Sequence, residues 1–257
     1  MKLLVTGDIH YALRQYDWLS SVASGFDGVV IAGDLLQVAA TVELNAQIVV
    51  VRTYLRSLSK QTKLIVCSGN HDLNANSDTG ERVPDWFADL GSPDITVDGE
   101  RTWLGDTLVS VFPWWDGPDA KTKIEAQMAE DAHERRRTWI WAYHAPPTDT
   151  PTSWGGHRHF GDPELTRWIA KYAPDIVFCG HVHQAPFISD GAWADRIGET
   201  WVFNMGQQPG DVPSHIVVDI EHSRAIWNSI AGAEELDLLT PTEKPVAVSA
   251  EPEWLKA

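Results

Sequence analysis

Five apolar runs in this chain end on the same kinds of residue, and that repetition limits the folds open to it. The runs KLLVTG, GVVIA, KLIVCS, WIWAY and DIVFC lead into Asp8-Ile9-His10, Gly33-Asp34, Gly69-Asn70-His71-Asp72, His144 and Gly180-His181-Val182-His183. Short apolar runs rich in branched residues read as buried strands. Chemistry-bearing side chains therefore stand just past strand after strand. In an open α/β sheet the carboxyl ends of the strands form the crevice where ligands bind, so the five motifs are expected to converge. Glycine before Asp34, Asn70 and His181 is expected to let the backbone turn sharply as each strand ends.

The first 75 residues alternate strand and helix patterns. Lys2–Thr6, Gly28–Ala32 and Lys63–Cys67 are strands, with helices over about Leu13–Ala23 and Thr41–Leu58 between them. The second helix keeps Leu44, Ile48, Val51, Leu55 and Leu58 on one face. This order implies a parallel sheet with right-handed crossovers. Glu100–Leu104 and Thr107–Phe112 suggest a hairpin, followed by a charged helix over Asp119–Arg137 and a strand at Trp139–Tyr143. Asp162–Tyr172 reads as a helix with Asp162 as N-cap and Pro163 in its first turn. Asp175–Cys179 is another buried strand. Residues 185–231 carry short strand patterns between Gly and Pro turns and suggest a second, largely antiparallel sheet. From 232 to 257 the chain turns acidic and then proline-rich, as a loosely held tail would be. One domain over residues 1–231 is the expected organisation.

The motif residues limit what can bind. Asp8, Asp34, Asn70, His10, His144, His181 and His183 offer oxygen and imidazole nitrogen without thiolate. Such a set suits Mn, Fe, Zn, Co or Ni and fits calcium poorly. Seven protein ligands exceed what one ion accepts once water and substrate are counted. If Asp34 bridges, two ions each receive four. Alone, each motif has a plain reading: Asp-x-His is common, and Gly-Asn-His-Asp is an acceptable polar turn. It is the shared position after strands that argues for a dinuclear transition-metal centre.

The order Asp-x-His, Gly-Asp, Gly-Asn-His-Asp, His, Gly-His-x-His resembles the calcineurin-like metallophosphoesterase superfamily over about residues 1–228. The resemblance implies a four-layer α/β/β/α sandwich of two mixed sheets flanked by helices. It implies that Asp8, His10, Asp34 and His183 hold one metal, and Asp34, Asn70, His144 and His181 the other. His71 would stand beside them unligated as the catalytic group that steadies or protonates the departing alkoxide, and Asp72 would support it. The superfamily's protein phosphatases extend the second motif to Gly-Asp-x-Val-Asp-Arg-Gly, whereas this chain reads Gly33-Asp34-Leu35-Leu36-Gln37-Val38. That departure turns the expectation from phosphoproteins to phosphodiesters of small molecules or nucleotides, hydrolysed by a hydroxide generated between the two metals. A phosphomonoesterase and a non-catalytic metal-binding scaffold are the alternatives.

The formal charge of −16 argues against non-specific binding to nucleic acid or anionic membrane, and weighs against a nuclease. No segment approaches the ~20 apolar residues of a membrane span, and the first apolar run is too short for a signal peptide. With two cysteines in apolar runs, Cys67 and Cys179, the chain is expected to be cytoplasmic, with buried free thiols. No Gly-x-Ser-x-Gly elbow occurs. A small phosphorylated substrate is the expected partner. Trp114 and Trp115 could wall the cleft or merely pack. His157-Arg158-His159 could reach a phosphate or base, or form an exposed loop. Tyr11 and Arg14 lie close enough to the first motif to touch substrate. His133 and His222 are expected in solvent, His215 as structural, and Asn204 and Gly206 at a turn near the site.

Overall fold

The computed structural model describes residues 1–90, 93–240, 245–250 and 252–256. The first half contains β1 (Lys2–Thr6), α1 (Leu13–Val22), β2 (Gly28–Ala32), α2 (Leu44–Leu58) and β3 (Lys63–Cys67). A short ribbon of β4 (Ala75–Asn76) and β5 (Arg82–Val83) follows, then β6 (Ile95–Thr96), β7 (Arg101–Leu104) and β8 (Thr107–Val111). The second half contains α3 (Pro118–Asp131), β9 (Thr138–Ala142), α4 (Pro163–Tyr172), β10 (Ile176–Cys179), β11 (Ala194–Ile197) and β12 (Thr200–Asn204). It closes with β13 (His215–Asp219), β14 (Arg224–Ser229), β15 (Gly232–Asp237), β16 (Val246–Val248) and α5 (Glu253–Lys256).

Two mixed sheets result. One has the order β16-β15-β14-β13-β1-β2-β3-β6 and the other β11-β12-β10-β9-β8-β7. Period-two alternation explains why they stack. Leu3, Val5, Val30, Ala32, Ile65 and Cys67 face Val109, Val111, Ile140, Ala142 and Phe178 in a core between the sheets. The intervening Leu4, Val29, Ile31, Leu64 and Val66 face outward onto Tyr16 and Leu19 of α1 and Ile48, Val51 and Leu55 of α2. On the far side Leu108, Trp139, Trp141 and Val177 pack on Ile124 and Met128 of α3 and Leu165 and Trp168 of α4. This is the expected four-layer sandwich. Each buried aliphatic side chain contributes about 1.5–3 kcal/mol, so three such cores hold both sheets rigidly.

Several boundaries differ for identifiable reasons. Helix α2 starts at Leu44 rather than Thr41, because the Gln47 amide donates to the carbonyls of Gln37 and Val42 and holds the preceding segment as a loop. Helix α3 stops at Asp131 rather than Arg137. The Arg136 guanidinium donates to the carbonyls of Asp131, Ala132 and Glu134 and turns the chain there. Helix α4 starts as expected: the Asp162 carboxylate accepts from Glu164 N–H at 2.8 Å, with Pro163 next.

The separate antiparallel sheet expected over 185–231 does not form. Strands β11 and β12 extend the second sheet, β12 lying parallel to β10, while β13 and β14 cross to the first sheet. The acidic stretch after 231 is also more ordered than a loose tail. Strand β15 pairs with β14 and β16 with β15, because its carboxylates have partners: Glu234 accepts from Trp193 Nε1, and Glu235 from Arg224 and Trp254 Nε1, each at 2.7 Å. Residues 241–244 of the expected proline-rich tail lie outside the described residues. Among the described residues no helix is long and apolar enough to cross a membrane.

Candidate metal centre

Strands β1, β2 and β3 of one sheet and β9 and β10 of the other end at the same edge of the sandwich, and the five motifs meet in the seam between them. Asp8, His10, Asp34 and His183 present ligand atoms all within 4.8 Å of one another, and so do Asp34, His144 and His181. His183 Nε2 lies 3.1 Å from Asp8 Oδ1 and 3.0 Å from His10 Nε2. One oxygen, Asp34 Oδ2, faces both groups, 3.6 Å from His10 Nε2 and 3.2 Å from His144 Nε2. Its other oxygen is tied down by the backbone N–H of His71 at 2.8 Å. Asn70 Oδ1 lies 2.9 Å from His181 Nδ1, which joins it to the second group. All seven expected ligands therefore come together in two clusters that share Asp34.

The backbone is bent to achieve this. Asp8, His10, Asp34 and His181 all have positive φ, between 46° and 68°, a conformation costing of order 1 kcal/mol or more per residue and concentrated at functional sites. Cross-loop bonds hold it: Asp8 N–H to Gly33 C=O at 3.0 Å and His10 N–H to Asp34 C=O at 2.9 Å. The glycines serve two purposes. Gly33 has φ of 87° and makes the expected sharp turn. Gly69 and Gly180 are needed for closeness instead, since a Cβ there would collide with the carboxylates of Asp34 and Asp8 respectively.

The donor set fits metal ions on an observation independent of motif order. His144 Nδ1 meets the Ala32 carbonyl at 2.6 Å, so this nitrogen carries the proton and Nε2 holds the lone pair. That Nε2 is buried and has no hydrogen-bond partner, as is His10 Nδ1. A buried imidazole nitrogen left unbonded is costly unless a cation completes it. Electrostatics agree. Burial opposes charge on His144, but Asp34 outweighs it and lifts the imidazole to about 10. Burial raises Asp34, but His144 outweighs that and draws it below the usual carboxylate range. Burial, then His144, holds His181 down to about 4, and burial lowers His10. The centre is thus a concentration of negative charge that draws positive charge to Nε2 of His144, the place a metal ion would take, while burial keeps His181 and His10 neutral.

Asp72 departs from its expected role beside His71. Its carboxylate is buried and accepts from the backbone N–H groups of Leu35, Leu36 and Gly69 at 3.0, 3.0 and 2.8 Å, with no bond to the His71 ring. It fastens the Gly-Asp loop to the Gly-Asn-His-Asp loop and acts on structure. His71 stands edge-on to His10 with ring centroids 4.6 Å apart, and its Nδ1 accepts a long 3.5 Å contact from Val38 N–H.

Trp114 packs against the rings of His144 and His181 at centroid distances of 5.7 and 5.1 Å. Trp115 donates to Tyr143 Oη and Asp162 Oδ2. His157 and Arg158 are exposed, whereas His159 bonds Ser153 Oγ at 2.9 Å and packs on Trp154. Arg14 pairs with exposed Asp211, and Tyr11 packs into the core under α1 and α2. His215 is structural, its ring tilted against Trp18 with centroids 4.6 Å apart. His133 and His222 are both exposed, as expected, and His222 pairs with buried Asp219 at 2.8 Å. One contributor escaped the sequence reading: the Ala32 carbonyl left no side-chain trace. Asn204 and Gly206 form a turn near the site, as expected, and Asn204, which accepts from Gly206 N–H and donates to the Val182 carbonyl at 3.1 Å, anchors the Gly-His-x-His loop.

A family model described as calcineurin-like phosphoesterase matches residues 1–185. No curated protein matches the chain. Among solved structures, TT1561 of Thermus thermophilus is similar with a TM-score of 0.58 at 17% identity, covering 96% of this chain and 98% of that one. Purple acid phosphatase PPD1 from yellow lupin seeds gives a TM-score of 0.59 at 13% identity, covering 100% of this chain and 55% of that one. At such identities the likeness is one of fold.

Proposed function

The chain belongs to the calcineurin-like phosphoesterase family, and we propose that it is a dinuclear-metal hydrolase of phosphodiesters carried by small molecules or nucleotides. The observation that carries this reading is the pair of ligand clusters joined through Asp34 Oδ2. Asp8, His10, Asp34 and His183 would hold one transition-metal ion, and Asp34, Asn70, His144 and His181 the other. Mn and Fe lead the choice, with Zn, Co and Ni also suited to these donors. Two such ions supply Lewis acidity and a water acidified enough to act as a nucleophile near neutral pH.

The chain's own residues do the rest. Asp34 fixes the spacing of the two clusters, and Ala32 sets the His144 tautomer. With Nδ1 of His71 accepting from Val38, Nε2 carries the ring's proton and is the atom that can protonate the departing alkoxide. A diester bears one negative charge where a monoester bears up to two. The cavity beside the second cluster is lined by Trp114, Trp115, Tyr143, Phe160 and His181, with no lysine or arginine to neutralise the extra charge, which favours the diester. The net charge of −16 supports a small-molecule partner over nucleic acid or membrane. Buried free Cys67 and Cys179 support a cytoplasmic location.

The test is metal-stripped protein reloaded in turn with Mn, Fe, Zn or Co and assayed on matched aryl phosphodiesters and phosphomonoesters and on cyclic nucleotides. Faster turnover of the monoester would overturn the diester preference. No turnover with any metal would replace the enzyme by a binding scaffold.

A further inference from the structure

Beside the second ligand cluster lies a cavity of about 270 Å³ whose walls are Trp114, Trp115, Tyr143, Phe160, Asp162 and His181. We propose that this cavity is a subsite for a flat, uncharged aromatic group carried on the phosphoester, such as the base of a nucleotide or the ring of an aryl ester. The inference rests on the reading that the two clusters bind a phosphoester and names the kind of substituent they receive.

Position comes first. His181 belongs to both the ligand cluster and the cavity wall, and the Trp114 indole lies across His144 and His181. A group bonded to a phosphate at the clusters has this space immediately next to it. The volume approaches the lower end of small-molecule sites, about 300–1,000 Å³, and suits one ring system rather than a chain of sugars.

The chemistry of the walls selects the occupant. The one carboxylate is fully engaged: Asp162 Oδ2 accepts from Trp115 Nε1 at 3.0 Å and from the Tyr143 hydroxyl, and Oδ1 accepts from Glu164 N–H. Among the described residues no cationic side chain lines the cavity. Lys121 and Arg158 reach only the Trp115 and Phe160 rings, at 5.9 and 4.3 Å from their centroids, and Lys121 is paired with Glu164, so the space favours an uncharged group over a second phosphate. Indole, phenol and phenyl faces attract planar rings.

The walls are also preorganised. Trp115 is locked by its bonds to Tyr143 and Asp162. Tyr143 is buried and packs edge-on against Trp168. Phe160 has the Arg158 guanidinium 4.3 Å above its ring and its N–H on the Ser153 carbonyl at 2.9 Å. Rings fixed before binding lose little entropy on binding.

The experiment is calorimetric titration of the metal-loaded protein with three ligands whose C–P bonds resist hydrolysis: the methylene phosphonate isostere of AMP, phenylphosphonate and methylphosphonate. At least one of the first two is expected to bind about tenfold or more tighter than methylphosphonate, the gain that one stacked ring supplies. The AMP isostere leading identifies a base as the occupant, and phenylphosphonate leading identifies a simple arene. In Trp115→Leu and, separately, Phe160→Leu, with metal content checked by mass spectrometry, that ratio is expected to fall toward one. Equal binding of all three by the wild type, or a ratio unchanged in both variants, overturns the subsite while leaving the phosphoester reading intact. Failure to bind any phosphonate overturns the subsite; the phosphodiester reading, whose substrate carries one charge fewer, falls only if the turnover assay above also fails.

Discussion

His144 Nε2 stands 3.2 Å from Asp34 Oδ2, and the opposite edge of the ring is pinned to the Ala32 carbonyl at 2.6 Å. The imidazole is thus fixed in one tautomer against the one carboxylate common to both clusters. Asp34→Asn keeps the shape and removes the charge. It is expected to weaken both ions together, by more than the about 10–100-fold typical of residues one step removed from a metal. Two ions per chain retained by the variant, measured by elemental mass spectrometry after dialysis, would rule out the sharing of Asp34.

Asp72 gives a prediction about stability. Burial, then the nearby Asp34, pushes its carboxyl upward, opposed by the backbone N–H groups of Gly69 and Leu36. Asp72→Asn replaces one accepting oxygen with an N–H₂ group that must face a backbone N–H. A cost of about 2–4 kcal/mol is expected from the lost bonds and the clash of donors. Urea unfolding of the metal-free protein with an unchanged midpoint would show that the two loops are joined by other means.

Gly180→Ala tests closeness rather than flexibility. The added Cβ would strike the Asp8 carboxylate, which also accepts from His181 N–H at 3.0 Å. The chain should still fold, because both cores flanking β10 are untouched. Affinity for an ion at Asp8, His10, Asp34 and His183 is expected to fall at least about tenfold. A metal titration indistinguishable from wild type would mean that the loop moves aside freely.

Strand positions and the motif residues that converge at the strand ends were legible because each depends on local pattern. The run GVVIA followed by Gly33-Asp34 can be read without knowing the rest of the chain. What could not be read depends on partners distant in sequence. Glu234 and Glu235 look like a solvated acidic run until Trp193, Arg224 and Trp254 are brought to them. Strands β12 and β13, ten residues apart, go to different sheets, a choice made by β10 and β1 rather than by their own residues. Asp72 was expected to support His71 because it follows it, whereas its carboxylate is taken up by the backbone N–H groups of Leu35, Leu36 and Gly69.

Asp98 offers a pH dependence away from the ligands. Its Oδ1 accepts from Ser68 N–H at 2.8 Å while Oδ2 is buried without a partner, and burial lifts the carboxyl to about 7. Between the ordinary carboxylate value and about 7 the folded chain keeps a proton that the unfolded chain has lost. This group's contribution to stability is therefore greatest in acid, falls as pH rises from about 4 to 7, and is flat above. Asp98→Asn removes that slope and should gain about 2–3 kcal/mol relative to wild type between pH 5 and 8. Parallel unfolding curves for the two proteins at both pH values would assign the burial no consequence.

His71 carries the last prediction. The ring lies edge-on to His10 and is not among the ligand atoms gathered into the clusters, so removing it should leave metal content unchanged. If its proton goes to the departing alkoxide, the loss must scale with how badly the leaving group needs protonation. His71→Ala is expected to lower kcat by about 10²–10⁴-fold on an alkyl ester, and much less on a p-nitrophenyl ester, whose phenolate leaves without help. The leaving-group dependence of kcat should therefore steepen in the variant. Val38 N–H, the group that His71 Nδ1 faces, is a backbone donor, so Val38→Pro should reproduce part of the effect without touching the ring. Equal losses on both esters would instead give His71 a role in positioning the phosphate, since a binding contact does not distinguish leaving groups.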